Sequence, residues 1–382
     1  MTKKLQYISE YSQNSLQGKR VLVRLDLNMP IANGSVVDEY RLKASIPTLN
    51  LLQEYGAKII IIAHIENKKT DSLRTVLPVI KKYFKNIYFC EDIFSDQTKA
   101  IVKNLEDGHI ALFENLRKWE GEKKNDIQFA QRLAQYADLY VNDAFSVCHR
   151  EHASIVGIQK YIPGYAGINI QKEIEALSKT FNPKHPFLFI IGGAKFETKL
   201  PLLQKFTNVA DTVYVGGALA NDIYKSRGLN VGSSLVSDID VTKIANKKNV
   251  RVPEVVIVQR GDDALTVSLD SKDAIQEGDI IYDADPQSIA LLKEIITSAH
   301  TIVWNGPLGD YEHNFISGTQ ALAQVIAESD AYSIVGGGDT LASIQDMNLE
   351  NSFDFISTGG GAMLDFLVNE TLPGIDVLKN AS

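Results

Sequence analysis

The chain has 382 residues, a formal net charge of −8 at pH 7, 45% apolar and 23% charged residues, and two cysteines. That length points to about two domains of roughly 150 residues each, and that composition lets each bury a core. The acidic balance excludes a general nucleic-acid binder, Cys90 and Cys148 give no disulfide framework, and no apolar run reaches the roughly 18 residues of a membrane span.

In chain order, short β-branched runs alternate with longer amphipathic stretches. The first half holds Val21–Leu27, Lys58–His64, Ile87–Cys90, Ile110–Glu114 and Leu139–Val141. The second holds Phe187–Ile191, Thr212–Val215, Val255–Val258, Thr301–Trp304, Ser333–Val335 and Phe353–Ser357. Near-continuous apolar runs fit strands buried on both faces of parallel sheets. The segments between them, such as Asp126–Tyr136 and Pro286–Ala299, have helical spacing. The fold class expected is α/β, with two Rossmann-like parallel-sheet domains joined by a connecting helix and hinge. Pro163 and Gly164 precede a helical run near Asn169–Thr180. They predict a boundary between a domain at 1–165 and a domain at 166–362 that includes the connector. The N-terminus, Met1 to Gln17, is polar and lacks a signal-peptide core, so a cytoplasmic protein is expected.

In such sheets, ligands bind beyond the carboxyl ends of the strands. After the first-half strands come Asp26, Asn28, His64, Asn115, Arg117, Asn142, Asp143, His149 and Arg150. After the second-half strands come Gly192-Gly193-Ala194-Lys195, Gly216-Gly217, Asn305-Gly306-Pro307, Gly336-Gly337-Gly338-Asp339 and Gly359-Gly360-Gly361. The first set offers arginine and histidine to an anion. The second offers glycine backbone, lysine and one carboxylate, which suits nucleotide phosphates and Mg²⁺ on Asp339. Neither a Walker P-loop nor G-x-G-x-x-G occurs, which weighs against a P-loop NTPase and against a dehydrogenase. Lys195 and Lys199 are four apart. Pro201 predicts a helix starting near Thr198, because proline is tolerated in a first turn. His149 and His152 are too few for a metal site. Cys148 reads better as a packed thiol than as a reactive one.

The same residues carry a resemblance to the phosphoglycerate kinase family. Val21-Leu-Val-Arg-Leu-Asp-Leu-Asn-Met-Pro30 resembles the family's VRVDFNVP opening. Glu114-Asn-Leu-Arg117, Val141-Asn-Asp-Ala-Phe145, His149-Arg-Glu-His-Ala-Ser154, Gly192-Gly-Ala-Lys195 with Lys199, Val303-Trp-Asn-Gly-Pro307, Gly336-Gly-Gly-Asp339 and Ser357-Thr-Gly-Gly-Gly-Ala362 follow in order. The resemblance spans almost the whole chain. It implies the reaction 1,3-bisphosphoglycerate + ADP ⇌ 3-phosphoglycerate + ATP, by direct in-line transfer with domain closure, in a cytoplasmic monomer with no nucleic-acid or membrane partner. It implies that Asp26, Asn28, Arg41, His64, Arg117 and Arg150 bind the glycerate. Gly193, Lys195, Lys199, Gly216, Gly217, Asn305, Pro307, Glu312, Gly337, Gly338, Asp339 and Thr340 would bind ADP or ATP. Arg41 and Lys199 would act on the transferred group, Asp339 would hold Mg²⁺, and a tail, 363–382, would return to the first domain.

The sequence also departs from the family. Where the family has SHLGRP, this chain reads Ala63-His-Ile-Glu-Asn-Lys68. Asn67 replaces an arginine and Glu66 a glycine. The lost charge-assisted contact would cost about 1.5–3 kcal/mol, with Lys68 or Lys69 as substitutes, and Glu66 would repel the substrate if it faced the site. Asp285 replaces a glycine near the nucleotide side. The alternative function is a catalytically weakened paralogue that binds nucleotide or a protein partner.

Overall fold

The computed structural model describes residues 4–66 and 70–380. Close contacts divide the chain into two compact units, Met1–Glu175 with Asn369–Ser382, and Ala176–Val368. The division falls inside the helix Ile168–Ser178, whereas Pro163 and Gly164 suggest a boundary ahead of it. Pro163 instead precedes, and Gly164 opens, a short edge strand, Gly164–Ala166.

The first unit is built on a six-stranded parallel sheet. Its order is Ile87–Cys90, Ile110–Phe113, Lys58–Ile62, Arg20–Arg24, Leu139–Asn142, Gly164–Ala166. Successive connections run to one side of Arg20–Arg24 and then jump to the other. That makes a topological switch point at its carboxyl end, where ligands bind in such sheets. Ile59 to Ile62 are all fully buried, as a strand covered on both faces requires. Leu42, Leu49 and Leu52 of the helix Tyr40–Glu54 pack into one cluster with Val21, Val23, Ile59 and Ile61. Each such side chain contributes about 1.5–3 kcal/mol on burial. Two of the helices start at side-chain caps. Asp126 accepts from the Phe129 amide at 2.8 Å ahead of Ile127–Ala134, and Ser95 accepts from Thr98 at 3.2 Å ahead of Asp96–Lys103. The C-terminal helix Pro373–Asn380 belongs to this unit, and the Gly374 amide donates to the Cys148 carbonyl at 2.8 Å.

The second unit has its own six-stranded parallel sheet. Its order is Val250–Arg251, Thr212–Val215, Phe187–Ile191, Thr301–Asn305, Tyr332–Gly336, Phe355–Ile356. The switch point lies between Phe187–Ile191 and Thr301–Asn305. One strand expected in this sheet is elsewhere. Val255–Arg260 pairs antiparallel with Asp263–Ser268 and Ile280–Ala284 in a separate three-stranded sheet. Its run of four valine and isoleucine residues mimics a parallel core strand. The Gly261-Asp262 turn that follows, with Gly261 at φ +62°, is a two-residue hairpin signal that decides otherwise. A second expectation also fails. The helix after Lys195 runs Phe196–Phe206, with Pro201 inside it. Phe196, Leu202 and Leu203 are buried together on this helix, and that packing carries the helix through the proline.

Candidate active site

In the first unit, four arginines surround one histidine. Arg24 closes its strand and is itself buried. Its guanidinium contacts His64 Nδ1 at 3.1 Å and donates through Nε to Ser154 Oγ at 3.0 Å. Burial pushes the His64 pKa well below the usual histidine range, and Arg24, Arg117, Arg150 and Arg41 add to that. His152 is pushed down to about 4 by burial and the same field of Arg117, Arg150 and Arg24. Burial, then Arg150 and Arg24, lowers Arg117 to about 10. Three nearby groups therefore record a local excess of positive charge, in a chain whose net charge is −8.

The compensating acids are engaged. Asp26 accepts from Arg41 and from Ser146, each at 2.5 Å, and from the Asn28 amide at 3.0 Å. Glu122 is buried against the Ser154 amide and hydroxyl at 3.0 and 2.6 Å. Burial pushes its pKa up despite Arg24. Glu66 pairs with Arg117, and its amide donates to Asn28 Oδ1 at 2.8 Å. The acid expected to repel an anion here is thus itself the anion on Arg117. Asn67, Lys68 and Lys69 lie outside the described residues. Cys148 is fully buried, and its thiol is pushed up to about 12 by that burial, so it is a packed group.

In the second unit, the strand ends at the switch point are stitched to one another by backbone. Gly192 donates to the Asn305 carbonyl and Gly193 to that of Pro307, both at 2.9 Å, and Gly217 donates to Leu308 at 3.0 Å. A Cβ on Gly192 would lie 2.1 Å from the Pro307 carbonyl oxygen, so only glycine fits. A cavity of about 690 Å³ opens over these turns. Gly193, Lys195, Lys199, Asn305, Pro307, Glu312, Gly337, Gly338 and Asp339 all line it. Gly337, at φ +109°, turns the chain into the helix Gly338–Asp346, whose first amides face no helical partner. Thr340 Oγ1, in the first turn of that helix, is buried without a hydrogen-bond partner.

Lys199 is buried, and its ammonium donates to the Gly192 carbonyl. Burial pulls its pKa down to about 8, against the opposing pull of Asp339. Lys195 is exposed at the N-cap of its helix. Three of the residues assigned to the nucleotide, Gly216, Gly217 and Thr340, are not on this wall. Gly216 packs under Leu308, and Gly217 borders a small crevice with Tyr282 and Leu308. The cavity also has apolar walls that the motifs did not indicate, among them Leu235, Ile280, Ile281, Tyr282 and Tyr311. Asp285 is not on it. It caps the helix Pro286–Ser298, accepting from Gln287 at 2.9 Å, and also accepts from Thr266 at 2.9 Å. A further basic cavity of about 580 Å³, in the first unit, is lined by Arg20, Lys99, Lys103 and Arg132. It lies by the start of the strand Arg20–Arg24. Arg20 is held by Asp138, Lys99 by Asp96, and Arg132 stacks on Phe94 at 3.6 Å.

The family model described as phosphoglycerate kinase matches residues 11–370. The chain belongs to the phosphoglycerate kinase family. It is 39% identical over 392 residues to the phosphoglycerate kinase of Dictyoglomus turgidum, covering 98% of each sequence. It is 37% identical over 399 residues to that of Trichodesmium erythraeum, with both fully covered. Among solved structures it is similar to the phosphoglycerate kinase of Coxiella burnetii, with TM-score 0.84, 34% identity and 99% and 100% of the two chains covered. It is also similar to that of Pyrococcus horikoshii, with TM-score 0.85, 29% identity and 99% of each chain covered. Its two parallel-sheet α/β units match the fold of these kinases. The activity is the family's, phosphoryl transfer between 1,3-bisphosphoglycerate with ADP and 3-phosphoglycerate with ATP.

Proposed function

We propose that the arginine cluster of the first unit binds the phosphoglycerate and that the glycine cleft of the second binds the nucleotide. Asp26, Asn28, Arg41, His64, Arg117 and Arg150 hold 3-phosphoglycerate or 1,3-bisphosphoglycerate. The cavity glycines, Lys195, Lys199, Asn305, Pro307, Glu312 and Asp339 hold ADP or ATP, supported by Gly216, Gly217 and Thr340. The observation that carries this reading is the neutral, buried His64 inside four guanidiniums, a field that a multiply charged anion relieves. The apolar walls at Leu235, Ile280 and Tyr282 suit a base, and the helix start at Gly338 suits phosphate.

Mg²⁺ fits this donor set. Among the described residues no three acid, histidine or cysteine side chains gather for a metal. Asp339 is an exposed carboxylate on the cleft wall. That is the pattern for an ion that arrives with nucleotide phosphates and keeps its waters. Mg²⁺ would supply neutralisation of phosphate oxygens. In the transfer, a carboxylate oxygen of 3-phosphoglycerate attacks the terminal phosphorus of ATP as the bond to the ADP oxygen breaks. Arg41 and Lys199 offset charge on the moving group, with Lys199 in its protonated form. Because the two substrates bind to different units, the reading includes closure, which also keeps water from the acyl phosphate. It includes a glycerate domain at 1–165 with the returning tail 363–382, and a nucleotide domain at 166–362. It further includes a monomer in the cytoplasm, without nucleic-acid or membrane partners. The second reading, a nucleotide-binding paralogue with little turnover, is favoured by Glu66 and Asn67, which stand where the family has glycine and arginine.

Coupled turnover with Mg-ATP and 3-phosphoglycerate tests the assignment. Wild type turns over, and Arg41→Ala lowers kcat by about 10²–10³-fold with Mg-ADP affinity unchanged. No turnover by wild type, despite Mg-ADP binding, would overturn it in favour of the paralogue.

A further inference from the structure

Arg117 stands out among the four guanidiniums because its partner can move. Its side chain is only 7% exposed, while the Glu66 carboxylate that pairs with it is 59% exposed. The second oxygen of Glu66 is 4.0 Å from Lys123. The two other acids of the cluster cannot leave. Asp26 is held by Arg41, Ser146 and the Asn28 amide, and Glu122 is buried on Ser154. The backbone of Glu66 is pinned to Asn28 Oδ1, so its side chain is anchored at the rim, beside a residue assigned to the substrate. An exposed carboxylate swings out at little cost. A buried guanidinium left without an anion is expensive.

We propose that Glu66 is a built-in surrogate anion, which occupies Arg117 in the free protein and which the substrate must displace. It sets affinity and selectivity at the phosphoglycerate site. An anion binds only by outcompeting a tethered carboxylate for Arg117, which a phosphate dianion does and a lone carboxylate does not. Glu66 is therefore a specificity-determining residue that acts through Arg117. This inference rests on the reading that Arg117 binds the phosphoglycerate.

The test pairs Glu66→Gln with Glu66→Asp and Arg117→Ala, assayed with Mg-ATP and 3-phosphoglycerate. Glu66→Gln should lower the KM for 3-phosphoglycerate by about fivefold to tenfold, with kcat and the KM for Mg-ATP unchanged. It should also strengthen inhibition by glycerate, a carboxylate without phosphate. Glu66→Asp keeps the charge and should stay near wild type in both readouts. An unchanged or raised KM in Glu66→Gln, with Arg117→Ala raising KM, overturns the surrogate role and leaves the site assignment standing. An Arg117→Ala variant with unchanged KM overturns the site assignment itself, and the surrogate role with it.

Discussion

The two binding regions are built from opposite materials. In the first unit, the site is made of side-chain charge, with Arg24 and His64 buried and Arg41 and Arg117 answered by Asp26 and Glu66. In the second, the site is made of backbone, with Gly192, Gly193, Asn305 and Pro307 joined amide to carbonyl around one buried lysine. A charge-built site stores electrostatic stress that its ligand relieves. A backbone-built site has little charge to relieve, but no room for an added methyl group. The first should therefore respond to charge and salt, and the second to volume.

Lys199 is where the second region borrows the logic of the first, and removing it should have the largest effect. Lys199→Met keeps the length and loses the charge. Its kcat should fall at least about 10³-fold, which corresponds to about 4 kcal/mol of transition-state stabilisation. The same change should not lower Tm, because a buried ammonium gives way to an apolar chain. A loss of both kcat and Tm would mean that Lys199 is structural. The pH dependence follows from its lowered pKa. In the free enzyme, kcat/KM for Mg-ATP should decline above about pH 8 as the ammonium is lost. For stability the sign is opposite. The unfolded lysine holds its proton to a higher pH, so the Lys199 contribution improves as pH rises from about 8 to the ordinary lysine value.

A matched pair of substitutions sharpens the contrast. Gly192→Ala drives a methyl group to 2.1 Å from the Pro307 oxygen, and overpacking of that kind costs about 1–3 kcal/mol. Urea unfolding should report that loss, with nucleotide affinity falling too. Arg150→Lys keeps the charge and loses the fork. It should leave the unfolding midpoint unmoved and raise the KM for 3-phosphoglycerate about tenfold. If Arg150→Lys unfolds the protein while Gly192→Ala does not, the division between charge and backbone is wrong.

This division also explains what the sequence disclosed. Glycine clusters after apolar runs are visible as text, and nine of the twelve residues assigned to the nucleotide line the cavity. The apolar wall was hidden, because Leu235 comes from a loop, Tyr282 from the strand Ile280–Ala284 and Tyr311 from a short 3-10 turn, which share no local pattern. The separate antiparallel sheet was hidden for a related reason. Val255-Val-Ile-Val258 has the composition of a core strand, and only the turn after it gives its partner away. In the first unit, Arg117 and Arg150 were legible as arginines after strand ends, and Arg41 through the family resemblance. Arg24 falls within the apolar run Val21–Leu27 and reads as an oddity of that run. One signal existed, since a charge within an apolar run must be paired or functional. The pairing of Glu66 with Arg117 joins residues 51 apart, and no local rule states it.

An effect confined to stability concerns Asp143, which belongs to the first unit's sheet end but carries no assigned substrate role. It is fully buried at the start of the helix Ile168–Ser178 and accepts from the Asn169 amide at 2.8 Å and from that of Ile170 at 3.4 Å. Burial outweighs those donors and pushes its pKa up to about 7. The unfolded carboxyl ionises near pH 4, so between about pH 4 and 7 the folded state holds the extra proton. The stability that Asp143 contributes is therefore full below about pH 4 and lost as pH rises through 7, the reverse of an ion-paired aspartate. Asn169 and Ile170 need an acceptor, and an amide oxygen at the same position supplies one without a charge. Asp143→Asn should thus unfold close to wild type at pH 4. It should gain about 2 kcal/mol relative to wild type at pH 7.5, about half of what a carboxyl displaced from about 4 to about 7 can contribute. Urea titrations of both proteins at the two pH values measure that difference. A variant that is less stable than wild type at both would mean that the carboxylate is held ionised by the helix amides, and that the charge-built logic of the arginine cluster extends to the connector.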